Sequence, residues 1–213
     1  VSLTCLAIVF SALAASPASP PAPDKGKTSD GRPQVEAYLS THDVASAPEL
    51  RALASAPENA LMAITSDPRA EGLLRSRAVA ALRLVATPDV RVFLGKLIQT
   101  KAKATDATDR LIVRRAAVAL GWMAGAGTAE NLALLFDNED AEVRLDAAIG
   151  LGLTRAEVAA TLLRRQLAVE SAPRVRAQIE RQLRALPEPP PEPDKAHSPP
   201  MREPPPPPMR SGW

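Results

Sequence analysis

The sequence predicts an all-α chain: a repeated pair of helices set between two proline-rich ends. Three observations carry this. Four ten-residue segments align without gaps, the first three are each followed by a second leucine at a fixed distance, and proline is concentrated outside the aligned region. Twelve of the last 27 residues are proline and five more prolines fall between residues 17 and 33, which leaves five in residues 34–186. That 153-residue block is long enough for one well-buried domain or one repeat array. It carries 20 Lys and Arg against 18 Asp and Glu, so no overall field recruits nucleic acid or an acidic membrane.

Residues 1–14 open an uncharged apolar run ending in Ala12, Leu13 and Ala14, the small-x-small order that a signal peptidase reads. The run is short of the ~20 residues that span a bilayer. A signal peptide is therefore expected, and with it export to the periplasm or outside the cell; an uncleaved segment would instead tether the chain to the inner membrane. The single cysteine, Cys5, lies in this segment, so a mature chain would hold no disulfide, thiol nucleophile or cysteine-ligated metal. Residues 15–33 read as a Pro/Ser-rich disordered linker, because their composition cannot bury enough apolar surface to offset chain entropy. Residues 34–56 have helical stretches without a clean repeat and read as an N-terminal cap.

The array proper is expected over residues 57–186. Its aligned segments are 74–83 (LRSRAVAALR), 112–121 (IVRRAAVALG), 143–152 (VRLDAAIGLG) and 175–184 (VRAQIERQLR). First, fifth, eighth and ninth positions hold residues such as Ile112, Ala116, Ala119 and Leu120, which share one helical face. Small residues at the middle positions let a neighbouring helix approach closely, as a core with 3% aromatic residues requires. Leu82 to Leu94, Leu120 to Leu132 and Leu151 to Leu163 are each 12 residues apart. The turns between them hold Thr87, Thr128 and Thr154, each read as a helix cap with an acidic residue following. Successive segments begin 31 or 32 residues apart, except for 38 between Leu74 and Ile112; the excess is the polar stretch 99–110, expected as an insertion in a turn between helix pairs. Residues 187–213 end the chain as a disordered, polyproline-biased spacer in which Pro205–Pro208 with Met209 and Arg210 satisfy P-x-x-P-x-R.

The order V-R-x-x-A-A-x-x-L-G, with an Asp three residues upstream as at Asp140 before Val143 and Arg144, resembles the short HEAT-like repeat of bacterial proteins, including the phycobilisome-lyase type. The resemblance covers about residues 57–186 and weakens at Val113, where an Arg belongs, and again at Ile179, Glu180 and Gln182. It implies a short α-solenoid of antiparallel helix pairs, with the second helix of each pair lining the concave face. It also implies a ladder in which Asp140-type acids meet Arg144-type arginines of neighbouring repeats.

No catalytic set, cofactor motif or metal-ligand spacing emerges. His42 with Asp43 lacks a nucleophile and reads as a loop histidine, and His197 stands alone in the tail. The glycines of 121–127 (GWMAGAG) follow a helix and lack Gly-Lys-Ser/Thr, so they do not read as a phosphate loop. The acids of 137–142 lack the turn glycine of a calcium loop, and Asp140 reads better as a helix cap. Arginines are more informative: Arg75, Arg77, Arg114, Arg115, Arg144 and Arg176 recur early in the second helices. Stacking would align them as a stripe suited to an acidic partner, unless acids such as Asp109, Asp140 and Asp146 engage them inside the array. Trp122 either stands exposed as an interface anchor or is covered by the 99–110 insertion.

The expected function is thus an exported, non-enzymatic scaffold that binds a protein or peptide, acidic in character, along the concave face. Arg75, Arg77, Arg114, Arg115, Trp122 and Arg176 are the candidate contacts; no nucleic acid and no small-molecule substrate is indicated. The alternative, drawn from family kinship, is a lyase-type enzyme or enzyme subunit; a membrane-tethered spacer is the third reading.

Overall fold

A computed structural model describes residues 31–42 and 45–186, all of them helix or short connection, with no strand among them. The signal segment, nearly all of the expected linker, Asp43 and the proline-rich tail lie outside the described residues. Helix α1 (Arg32–Thr41) starts two residues inside the stretch expected as linker, and α2 (Ala47–Leu53) follows, with Ser46 accepting from the Glu49 amide at its start. Val35, Leu39 and Leu50 bury the inner sides of this cap. Four antiparallel pairs come next: α3 (Pro57–Ser66) with α4 (Gly72–Leu82), α5 (Pro88–Lys101) with α6 (Ala107–Met123), α7 (Thr128–Ala133) with α8 (Ala141–Thr154), and α9 (Glu157–Val169) with α10 (Pro173–Ala185). One-turn 3₁₀ segments extend α4 through Arg83–Val85 and α7 through Leu134–Asp137.

The pairs stack so that α4, α6, α8 and α10 form one layer and α3, α5, α7 and α9 the other. Contact within the first layer is much closer than within the second, so the stack curves with the first layer inside. Sequence explains the difference. In α6 and α8 the helix-to-helix positions are Ala117, Gly121 and Gly150, and the backbones meet there: a Cβ on Gly121 would stand 2.4 Å from the Gly150 carbonyl oxygen, and one on Gly150 would stand 2.6 Å from that of Ala117. Between the layers Leu61, Ile64, Leu82, Leu94, Ile98, Ile112, Leu120, Leu132, Leu135 and Leu151 form one continuous aliphatic core, each less than 2% exposed. The helical array read from the spacing is therefore present, as HEAT-like pairs in a short solenoid.

Two local expectations are corrected. The 99–110 stretch does not lie between helix pairs; it lies inside the second one, lengthening α5 to Lys101 and starting α6 at Ala107, with Asp106 accepting the Thr108 and Asp109 amides as the cap. Lys101 pairs with Asp109 at 2.5 Å to close the connection. Of the three threonine caps, Thr87 accepts from the Val90 amide as expected. Thr128 does not cap: Gly127, at φ 72°, holds that position and leaves the Thr128 hydroxyl buried without a partner. Thr154 is the last residue of α8 and accepts from the Ala156 amide just ahead of α9.

Candidate functional site

The arginines separate by their place in the repeat. At the second position Arg75, Arg144 and Arg176 turn toward the end of the preceding helix and satisfy carbonyls that have no intrahelical donor. Arg75 Nε donates to Thr65 O at 3.0 Å, Arg144 Nη1 to Asn138 O and Glu139 O at 2.9 Å each, and Arg176 Nη1 to Leu167 O and Glu170 O at 2.8 and 3.0 Å. The second pair has Val113 at this position, fully buried. There the job passes to the buried Asn138, whose Nδ2 donates to Ala102 O at 2.7 Å and Ala104 O at 3.4 Å from the next repeat. Sequence reasoning passed over Asn138; the missing arginine at Val113 was the available signal.

Arg144 also forms the most buried ion pair among the described residues. Its Nε and Nη2 donate to the two carboxylate oxygens of Glu170 at 2.9 and 2.8 Å, and Gln166 Nε2 and the Ala172 amide donate to the same carboxylate. The Glu170 side chain is 1% exposed, and the arginine and these donors bring its pKa down to about 2. The expected ladder of acids and arginines exists with shifted partners: Arg110 meets Asp140 at 3.1 Å, while Arg144 meets Glu170 of the following repeat. Asp140 also accepts from the Glu142 amide, so its role as a cap stands.

At the third position Arg114 binds Asp146 at 2.7 Å and Glu142 at 3.1 Å, both on α8. Burial nonetheless pushes the Asp146 carboxyl above its ordinary value, against the pull of Arg114. At the fourth position Arg77 and Arg115 stand on the open side of the inner layer. Arg77 Nη1 donates to Leu39 O and Ser40 O at the end of α1, whereas Arg115 is exposed and makes no hydrogen bond or ion pair among the described residues. Of the six candidate contacts, then, Arg75, Arg114 and Arg176 are engaged within the array, Arg77 bridges to the cap, and Arg115 and Trp122 face outward.

Around Arg115 the repeat register builds a continuous face. Positions i, i+4, i+7 and i+11 are Leu73, Arg77, Ala80 and Leu84 on α4 and its extension, Leu111, Arg115, Val118 and Trp122 on α6, and Glu142, Asp146, Ile149 and Leu153 on α8. A groove of about 400 Å³ runs along α4, with Leu73, Arg77, Ala80 and Leu84 on its floor, Leu39 and Ala45 of the cap on one side and Arg115 of α6 on the other. Leu73 is 49% exposed and Trp122 59%. Trp122 is therefore exposed and not covered by the 99–110 stretch.

The remaining candidates have structural roles. His42 stacks on Tyr38 with ring centroids 4.4 Å apart, the behaviour of a loop histidine. Gly125 at φ 116° and Gly127 make the tight turn from α6 to α7, where Arg91 Nη1 donates to Ala124 O at 3.3 Å. Among the described residues no group of three His, Cys, Asp or Glu side chains stands close enough to hold a metal, and no helix is long and apolar enough to cross a membrane.

A solved structure similar to this chain is the complex of CpcE and CpcF of phycocyanin lyase from Nostoc sp. PCC7120, with a TM-score of 0.49 and 19% identity over 71% of this chain and 97% of that one. No family model matches the chain, and no curated protein does. The expectation on function is corrected at this point. It set a non-enzymatic, exported scaffold first and a lyase-type enzyme or subunit second. The solved neighbour is part of a lyase, so the exclusion of an enzymatic role is withdrawn.

Proposed function

We propose that this chain is a helical-repeat subunit of a lyase-type enzyme assembly, and that it holds a partner protein against the open face of α4 and α6. The observation that carries the docking half is the groove beside Arg115: apolar walls from Leu73, Ala80 and Leu84 with an exposed, unpaired guanidinium at the rim. An apolar centre edged by arginine is the usual anatomy of a protein interface. A stack that is already rigid also loses little ordering entropy on binding. The lyase half is supported by the kinship of the repeat motif around Val143. The chain's own contribution to such an assembly is to position the partner; Arg115 and Leu73 are the contacts and Arg77 orients the rim.

The test is a reconstitution. A partner captured by crosslinking to the full chain is assayed for lyase activity alone, with the wild-type chain, and with a folded Leu73→Glu, Arg115→Glu variant. Activity that needs the wild-type chain and falls with the variant supports the reading. A partner equally active without the chain, or captured equally well by the variant, overturns it.

A further inference from the structure

A second pocket lies in the outer layer, where α5 faces α7. Arg91, Gly95 and Gln99 recur every four residues along one side of α5, and Thr128 and Asn131 of α7 stand across from them. The space is about 280 Å³, with Lys96 at its rim. Gly95 keeps it open: a Cβ there would stand 3.0 Å from Asn131 Nδ2. We propose that this pocket binds a small oxyanion, the phosphate or carboxylate group of a small molecule, between the Arg91 and Lys96 side chains and against the Thr128 hydroxyl.

The pocket presents hydrogen-bond donors that no described residue satisfies. The Thr128 hydroxyl is buried at 2% exposure and has no partner, a state that costs free energy until something fills it. Asn131 accepts from Gln99 Nε2 through Oδ1 at 2.8 Å, which leaves its own Nδ2 beside Gly95 with no acceptor among the described residues. Arg91 spends Nη1 on the Ala124 carbonyl and forms no ion pair there, and the exposed Lys96 forms none either. No acid lines the space; Asp89 and Glu130, the nearest along the two helices, are exposed and stand outside the lining. Two positive charges, a hydroxyl and an amide N–H around one opening suit a group whose atoms are all acceptors, as those of an oxyanion are. A single water would satisfy the hydroxyl, but it takes up only about 30 Å³ and balances neither charge. The groove at Leu73 and Arg115 belongs to the other layer, so this inference stands or falls apart from the proposed partner.

The test titrates the full, isotope-labelled chain with sodium phosphate and, separately, with sodium acetate, each against sodium chloride at equal ionic strength, and follows amide shifts by NMR. Saturable shifts at Gly95, Gln99 and Asn131 are expected with at least one of the two anions, and the anion that produces them names the group bound. Thr128→Val keeps the shape of the side chain and removes the hydroxyl, so it should weaken binding about tenfold. Lys96→Gln, at an exposed position, should weaken it about fivefold. Thermal unfolding gives an independent readout: the anion should raise the Tm of the wild type more than that of either variant. Absence of a saturable shift with both anions, or shifts that both variants retain at full strength, overturns the proposal. So does a response as large at the exposed Arg155, Arg181 and Arg184 as at the pocket, which marks attraction to surface charge alone.

Discussion

Replacing Glu170 by Gln should remove a large and pH-dependent share of the array's stability. The carboxylate accepts four hydrogen bonds, two of them from Arg144, and its side chain is 1% exposed. Its pKa falls from 4.5 to about 2 on folding. At 1.36 kcal/mol per unit, that difference corresponds to about 3 kcal/mol favouring the folded state while the group is ionised in both states. Because the folded value is the lower one, the contribution is complete above 4.5, declines as pH drops toward about 2, and is gone below it. Urea denaturation followed by circular dichroism, on wild type and Glu170→Gln in parallel, isolates this group from other acids that titrate nearby. The expected gap is about 3 kcal/mol at neutral pH, closing as the solution is acidified through that window. A gap below about 1 kcal/mol, or one of constant size across the window, would refute the reasoning, because the pair would then be no better than a surface ion pair.

Gly150→Ala should destabilise the array by about 1–3 kcal/mol in the same assay, since the new methyl group meets the Ala117 carbonyl and must push α6 and α8 apart. Asn138→Ala should cost about 1–3 kcal/mol by leaving buried polar groups unpaired, and it should speed amide exchange in residues 102–106 before any other segment. Unchanged exchange there would mean that Asn138 does not hold the connection. Trp122→Ala should change stability by less than about 0.5 kcal/mol, because more than half of the ring is exposed; a larger loss would mean that the ring is part of the core.

Much of the fold was legible because the repeat carries its own register. Once 74–83, 112–121, 143–152 and 175–184 are aligned, the positions of Ile112, Ala116 and Leu120 say which side of each helix is buried, and Gly150 says which neighbour comes closest. The arginines were harder. Arg75, Arg77, Arg114 and Arg115 look alike in composition, yet one residue along a helix is a rotation of about 100°, enough to send one guanidinium to a carbonyl, another to a carboxylate and a third to solvent. Grouping them as one stripe erased that distinction. Thr128 failed as a cap for a different reason: Gly127 can take a left-handed backbone and end the turn a residue earlier, a choice that spacing does not encode. The function resisted sequence reasoning most, because a docking face is read from what it leaves uncovered.

The bonds made by Arg75, Arg144 and Arg176 to the ends of their preceding helices have main-chain oxygens as acceptors. Every residue type supplies such an oxygen, so these fastenings demand no matching side chain. A helix pair can then be duplicated or deleted together with its own arginine without a coordinated change next door. The carboxylates of Asp146 and Glu170, by contrast, tie one particular pair to the next. A lineage of such chains can vary in length by whole pairs, with the greatest tolerance where an arginine meets only backbone.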